Sequence, residues 1–137
     1  MDKIITMGFW LLTILSPVNG VMITMVFLIL VDFITGSYAA YKNKIPISSE
    51  RIGNTISKFF IYNLVILASF LLEEFIVNEV PFLKIIAGFI AITEIKSILE
   101  NFNKIYGLDL FRALISLLKS GDLSDTILAI SKEGKNK

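Results

Sequence analysis

The residues with the greatest chemical reach in this chain are five carboxylates, Asp32, Glu73, Glu74, Glu94 and Glu100, set in or beside apolar stretches. Two carboxyl groups brought within hydrogen-bonding reach of one substrate perform general acid–base work. The segments carrying these five place them at different levels along successive helices, so a shared site is not expected. The chain has no cysteine and no histidine. Disulfides, Cys/His metal centres, a Cys nucleophile and a His base are thereby excluded. The Walker loop and the GxGxxG, HExxH and GxSxG patterns are absent as well. Nothing requires an enzyme, a cofactor or a metal, and no catalytic residue is assigned.

Asp32 stands out by its surroundings. It lies in Val21–Tyr41, VMITMVFLILVDFITGSYAAY, which as a helix spans roughly 31 Å, about the thickness of a hydrocarbon core. A carboxylate there costs about 2.5–3.5 kcal/mol on insertion scales, less if it faces protein, water or a basic partner. Asp32, Thr35 and Gly36 share one helical face at spacings of three and four, and Gly36 and Ala40 extend it as a small-xxx-small pair that admits a second helix closely. This face is expected to touch protein, as a packing or oligomerisation surface, or to line a wet path.

The elements that must position these residues belong to a membrane protein. Of the 137 residues, 55% are apolar and 18% charged, against about 25% charged in a soluble domain, and the mean hydropathy is +0.75. A soluble domain of this size buries only about 60–70% of its surface and cannot hide so much apolar area. The net charge of +1 gives no argument for a nucleic-acid partner.

Taken in order, Ile4–Ser16 is a short apolar segment, either an interfacial helix anchored by Trp10 or a thin extra span. It has the outline of a signal peptide but lacks a strongly basic start, and Ser16-Pro17-Val18-Asn19-Gly20 reads as a turn, so the segment is expected to be retained. The Asp32 helix comes next. A hydrophilic loop from Lys42 to about Lys58 carries Lys42, Lys44, Arg51 and Lys58 against Glu50, which makes it cytoplasmic. Ser48 or Ser49 caps the next helix, about Ile56–Ile76. An acidic link holding Glu73, Glu74 and Glu79 leads through Pro81 to a fourth segment from Phe82. Its second half has an apolar stripe and a polar face of Glu94, Lys96, Ser97, Glu100 and Asn101, which is either solvated or lines water or a neighbouring subunit. Lys96, Glu100 and Lys104 form an i,i+4 ladder. Gly107 ends that helix, Asp109 caps an amphipathic one through Lys119, Gly121 breaks it, and Asp122 starts a last short helix, Leu123–Lys132. The basic tail Lys132–Lys137 is expected to be disordered.

The expected fold class is therefore an all-α integral membrane protein. It has three transmembrane helices, a short N-terminal apolar helix (interfacial or a fourth span) and a C-terminal amphipathic helix. Residues 1–105 form the membrane domain and 106–137 the cytoplasmic part.

Asp32-Phe33-Ile34-Thr35-Gly36 resembles the D-[YF]-[IL]-[TS]-G signature of a phage lysis and toxin-secretion holin family that includes the holin-like proteins of clostridial toxin loci. In that family the signature is succeeded by a basic loop with a serine and a glycine, then a lysine opening the next span. Lys42, Lys44, Ser48, Ser49, Arg51, Gly53 and Lys58 are similar to that pattern. Thr93-Glu94-Ile95-Lys96-Ser97-Ile98-Leu99-Glu100-Asn101 resembles the family's N-E-x-x-S-I-L-E-N-like stretch, with Thr93 in place of Asn. The resemblance covers about Val26 to Leu118. Tyr106-Gly107-Leu108-Asp109 departs from it, since the family often has a Pro-containing segment there.

The resemblance implies a homo-oligomer of the bacterial cytoplasmic membrane, multi-pass with the C-terminus inside, that opens lesions for an endolysin or a secreted toxin. On that reading Asp32, Gly36 and Ala40 supply helix contacts, and Glu94, Ser97 and Glu100 form a polar face poorly satisfied in a monomer. Two alternatives stay open: a scaffold that recruits a partner through Leu110–Leu118 without making a hole, and a small ion channel.

Overall fold

A computed structural model of the chain describes residues 2–121, together with Ser124 and Leu128. Four helices succeed one another: α1 (Asp2–Lys42), α2 (Ser49–Phe75), α3 (Phe82–Tyr106) and α4 (Leu110–Ser120). The first three pack against each other in an up-down-up bundle, and α4 packs on α3. The expected helix Leu123–Lys132, the tail and the side chain of Trp10 fall outside the described residues, Ser124 and Leu128 excepted.

The largest departure from expectation is at Ser16–Gly20. Instead of a turn separating two segments, α1 runs unbroken for 41 residues with Pro17 inside it. A proline removes a single N–H from the hydrogen-bond ladder, whereas a turn in an apolar setting would strand several backbone groups. Register favours continuity as well. Val18, Met22, Met25 and Ile29 recur at spacings of four, three and four, and Val18 packs in the same cluster as Met25, Ile66, Phe70 and Ala87.

The α1–α2 connection is much shorter than the expected Lys42–Lys58 loop. It occupies only residues 43–48. Ser48 is the N-cap of α2, its hydroxyl accepting from the Arg51 amide at 3.3 Å, and Glu50 sits in the first turn, so the helix starts at once. Arg51 and Lys58 therefore belong to α2. The end of α1 is closed by Ile45 N donating to Ala40 O at 2.9 Å, with Lys44 in the left-handed region at φ 56°.

At the other end Glu73 takes part in the α2–α3 link, its Oε2 accepting from Leu83 N at 2.7 Å. A carboxylate at a helix N-terminus fills the role that Pro81, the N-cap residue, cannot. Gly107 and Gly121 close α3 and α4 in the left-handed conformation, and Asp109 Oδ1 caps α4 by accepting from Arg112 N at 3.0 Å, all as the sequence predicts.

Two helical stretches, rather than the expected three, combine the length and composition to cross a bilayer: Ser16–Lys42 and Ser49–Phe75. The third long helix, α3, has 25 residues but carries Lys84, Glu94, Lys96, Glu100 and Lys104. The outer surface of the bundle is apolar, with Phe27, Ile34, Phe60, Leu64, Phe89 and Ile92 all exposed. That is the arrangement of a chain whose outside meets lipid.

Candidate functional site

The polar residues of the three long helices converge. Asp32 is ten residues before the end of α1, Lys58 is nine residues into α2, and α3 runs parallel to α1. The short connection puts Asp32 and Lys58 at one level, and the next turn of α2 brings Tyr62 to the same face.

Lys58 stands between two carboxylates. Its Nζ lies 3.0 Å from Asp32 Oδ2 and 3.0 Å from the Glu94 carboxylate. Glu94 is completely buried, and the Tyr62 hydroxyl donates to its Oε1 at 2.8 Å. Asp32 Oδ1 accepts from Ser97 Oγ at 2.6 Å and from Asn101 Nδ2 at 2.9 Å. Asn101 also reaches the Thr35 hydroxyl at 3.3 Å, and Thr35 donates to Val31 O at 2.8 Å. Every oxygen of the two carboxylates thus has a donor. Inside an apolar bundle a charge is tolerable only when paired and hydrogen-bonded in this way.

The expectation that the carboxylates scatter across levels therefore fails for Asp32 and Glu94, which share one ammonium. It holds for Glu73, at the opposite end; Glu100 lies beside Asn101, which reaches Asp32, but on the outer face of α3. The expectation of a polar face left wanting in a single chain fails for Glu94 and Ser97, whose polar atoms are partnered within one copy. Lys96 and Glu100 stand on the outer face of α3, paired with each other at 3.7 Å. Being about half exposed, this pair adds little stability. Lys104 does not extend the ladder, but its carbonyl accepts from Asn43 Nδ2 at 3.3 Å.

The small-residue face of α1 turns into the bundle. Gly36, Ala39 and Ala40 are buried, and a Cβ at Gly36 would collide with the Arg51 guanidinium and come within 3.0 Å of Asn101 Nδ2. Within one chain, then, Gly36 makes room for an arginine. At the loop end Lys42 Nζ donates to Ile105 O and lies 5.1 Å from the Tyr106 ring centre. Lys44 is exposed in the turn.

Sequence reasoning misses Tyr62 entirely and takes Lys58 for a loop cation. The signal is nevertheless present. Counting outward from a six-residue hairpin sets Asp32 opposite Lys58, and Tyr62 comes one turn after Lys58.

Residues 9–120 match the bacteriophage holin family. The chain belongs to that family. No curated protein and no solved structure matches it. The match runs through the four described helices and takes in every residue of the charge cluster, so the shared ammonium lies inside the matched region. A holin-family protein is a membrane protein, in keeping with the two apolar helices and the lipid-facing outer surface. Its cluster holds acid–base groups, yet each faces another side chain.

Proposed function

We propose that this protein acts as a holin in the full sense. It accumulates in the bacterial cytoplasmic membrane, associates with its own copies, and opens lesions through which an endolysin or a toxin leaves the cell. The family match over residues 9–120 carries this reading. The charge cluster supports it physically. A bundle that is apolar outside and polar within at one end holds groups able to line water, and these groups are closed on one another in a single copy. Assembly exchanges their internal pairs for contacts with water and with neighbouring copies.

In this proposal α3 is the third crossing, because it packs along α1 and α2 and shares their cluster. The end with Lys42, Lys44 and Arg51 faces the cytoplasm, and the link with Glu73, Glu74 and Glu79 faces outward. A continuous α1 crosses once, so the N-terminus is outside, while α4 and the C-terminus are inside.

The test is expression from a tight promoter, with and without a signal-less endolysin, tracking turbidity, membrane potential and release of a cytoplasmic enzyme. Abrupt depolarisation after a delay, with lysis only when the endolysin is present, is expected. Stable potential and continued growth at confirmed membrane levels would favour the scaffold reading instead, for which the exposed Leu114 and Leu118 of α4 offer a surface.

A further inference from the structure

Between α1 and α2 lies an open groove of about 370 Å³, walled by Val26, Ile29 and Leu30 on one side and Thr55, Ile56 and Phe60 on the other. Its one polar wall residue, Thr55, donates its hydroxyl to Arg51 O at 3.0 Å, so the groove offers only apolar surface. It opens sideways within the two membrane-crossing helices, where hydrocarbon is the surrounding medium.

Its loopward end is different. Along α1 the stripe of Val26 and Leu30 continues through Phe33 to Ser37, at spacings of four, three and four. The Ser37 hydroxyl is buried and, among the described residues, has no hydrogen-bond partner. A buried hydroxyl without a partner is costly. Along α2 the turn beyond Thr55 brings Arg51, whose guanidinium rests over Gly36. Among the described residues it has neither an ion pair nor a side-chain hydrogen bond. Five N–H donors on a half-buried, unpaired guanidinium suit a phosphate. Lys44, exposed in the turn, adds positive charge at the same end, with Glu50 the only acidic residue from Lys42 to Lys58.

We propose that this groove is a binding site for one anionic phospholipid, its acyl chain lying against Val26, Leu30 and Phe60 and its phosphate held by Arg51 at the loopward end. The charge complementarity at one end and the bare apolar wall below it match the two halves of such a lipid. The proposal rests on membrane location alone and not on lesion formation.

The test is native mass spectrometry of the full chain released from detergent, offered phosphatidylglycerol or phosphatidylcholine. Retention of phosphatidylglycerol is expected to exceed that of phosphatidylcholine by about tenfold, the scale of one charge-assisted hydrogen-bonding contact. Arg51→Gln should abolish the preference and Arg51→Lys should keep part of it. Ile56→Trp, which fills the groove and leaves Arg51 in place, should lower retention of both lipids. Equal retention of the two lipids by the parent protein, or an undiminished preference in Arg51→Gln, overturns the proposal. So does displacement of the lipid by millimolar inorganic phosphate, which would reveal an anion site that makes no use of the acyl chain. The readout is binding, so a protein that bound the lipid but failed to depolarise cells would leave this proposal intact and remove only the functional one.

Discussion

Where α2 turns into α3, Val18, Met25, Ile66, Phe70 and Ala87 meet with no charged side chain in the cluster. Where α1 turns into α2, the same three helices meet through Asp32, Lys58, Tyr62, Glu94, Ser97 and Asn101. The apolar end is held by shape, and each of its contacts is individually weak and replaceable. The polar end is held by a few strong, mutually dependent contacts, and its members fit no other position. The charge cluster is a poor way to stabilise a helical bundle and so calls for another reason. Well-packed apolar residues of similar volume generally do as well as a buried ion pair or better. A bundle that keeps a fully buried Glu94 and a mostly buried Asp32 against a partly exposed Lys58 holds polar groups that water can reach with little rearrangement.

The largest effect is expected of Lys58→Met. It leaves Asp32 and Glu94 facing each other without a cation and is expected to destabilise the bundle by about 3 kcal/mol. The measurement is thermal unfolding in detergent monitored by circular dichroism. Replacing all three charges together, as Asp32→Leu with Lys58→Met and Glu94→Leu, should recover about 2 kcal/mol of that loss while abolishing depolarisation in cells. A triple variant that still opened lesions on schedule would show that the cluster serves packing alone.

At the apolar end, Ile66→Ala should cost about 2 kcal/mol through the cavity it leaves. It should change lesion onset only as far as it lowers the amount of protein in the membrane, which quantitative immunoblotting would separate from timing. Ser48→Ala removes the α2 cap and should cost about 1 kcal/mol, with the cluster unaffected. The smallest effect has the opposite sign. Lys44 sits at φ 56°, so Lys44→Gly should stabilise by roughly 0.5–1 kcal/mol in the same unfolding assay.

Much of this architecture is legible in the sequence because local chemistry dictates it. Ser48, Asp109, Gly107 and Gly121 announce helix ends through side-chain oxygens or freedom at positive φ, and all four occupy those positions. Pro17 misleads because a proline's local meaning depends on what surrounds it. Ser16, Pro17, Asn19 and Gly20 are all turn-favouring types, yet the helix continues through them with Val18 anchored in the apolar core. The convergence of Asp32, Lys58 and Glu94 is harder to see because it is a fact of tertiary level and not of spacing within one segment. The hydrophilic look of Lys42–Lys58 hides a six-residue turn, and with the turn misjudged the levels of the helices cannot be matched. Arg51 over Gly36 is out of reach for the same reason: a glycine on a small-residue face reads as room for another helix, and only the fold reveals that an arginine of the same chain fills it.

Under the proposed function the cluster, closed in the single chain, opens to water when lesions form. The most direct measurement uses the absence of native cysteine. Ser97→Cys places a thiol beside Asp32, at a position whose hydroxyl lies 2.6 Å from that carboxylate. Membranes prepared just before and just after the collapse of membrane potential are treated on both faces with a water-soluble thiol reagent, with the outward-facing Lys96→Cys as a reference. The thiol of Ser97→Cys is expected to be protected before the collapse and labelled after it. Equal labelling in the two preparations, in a variant that still depolarises cells, would contradict it.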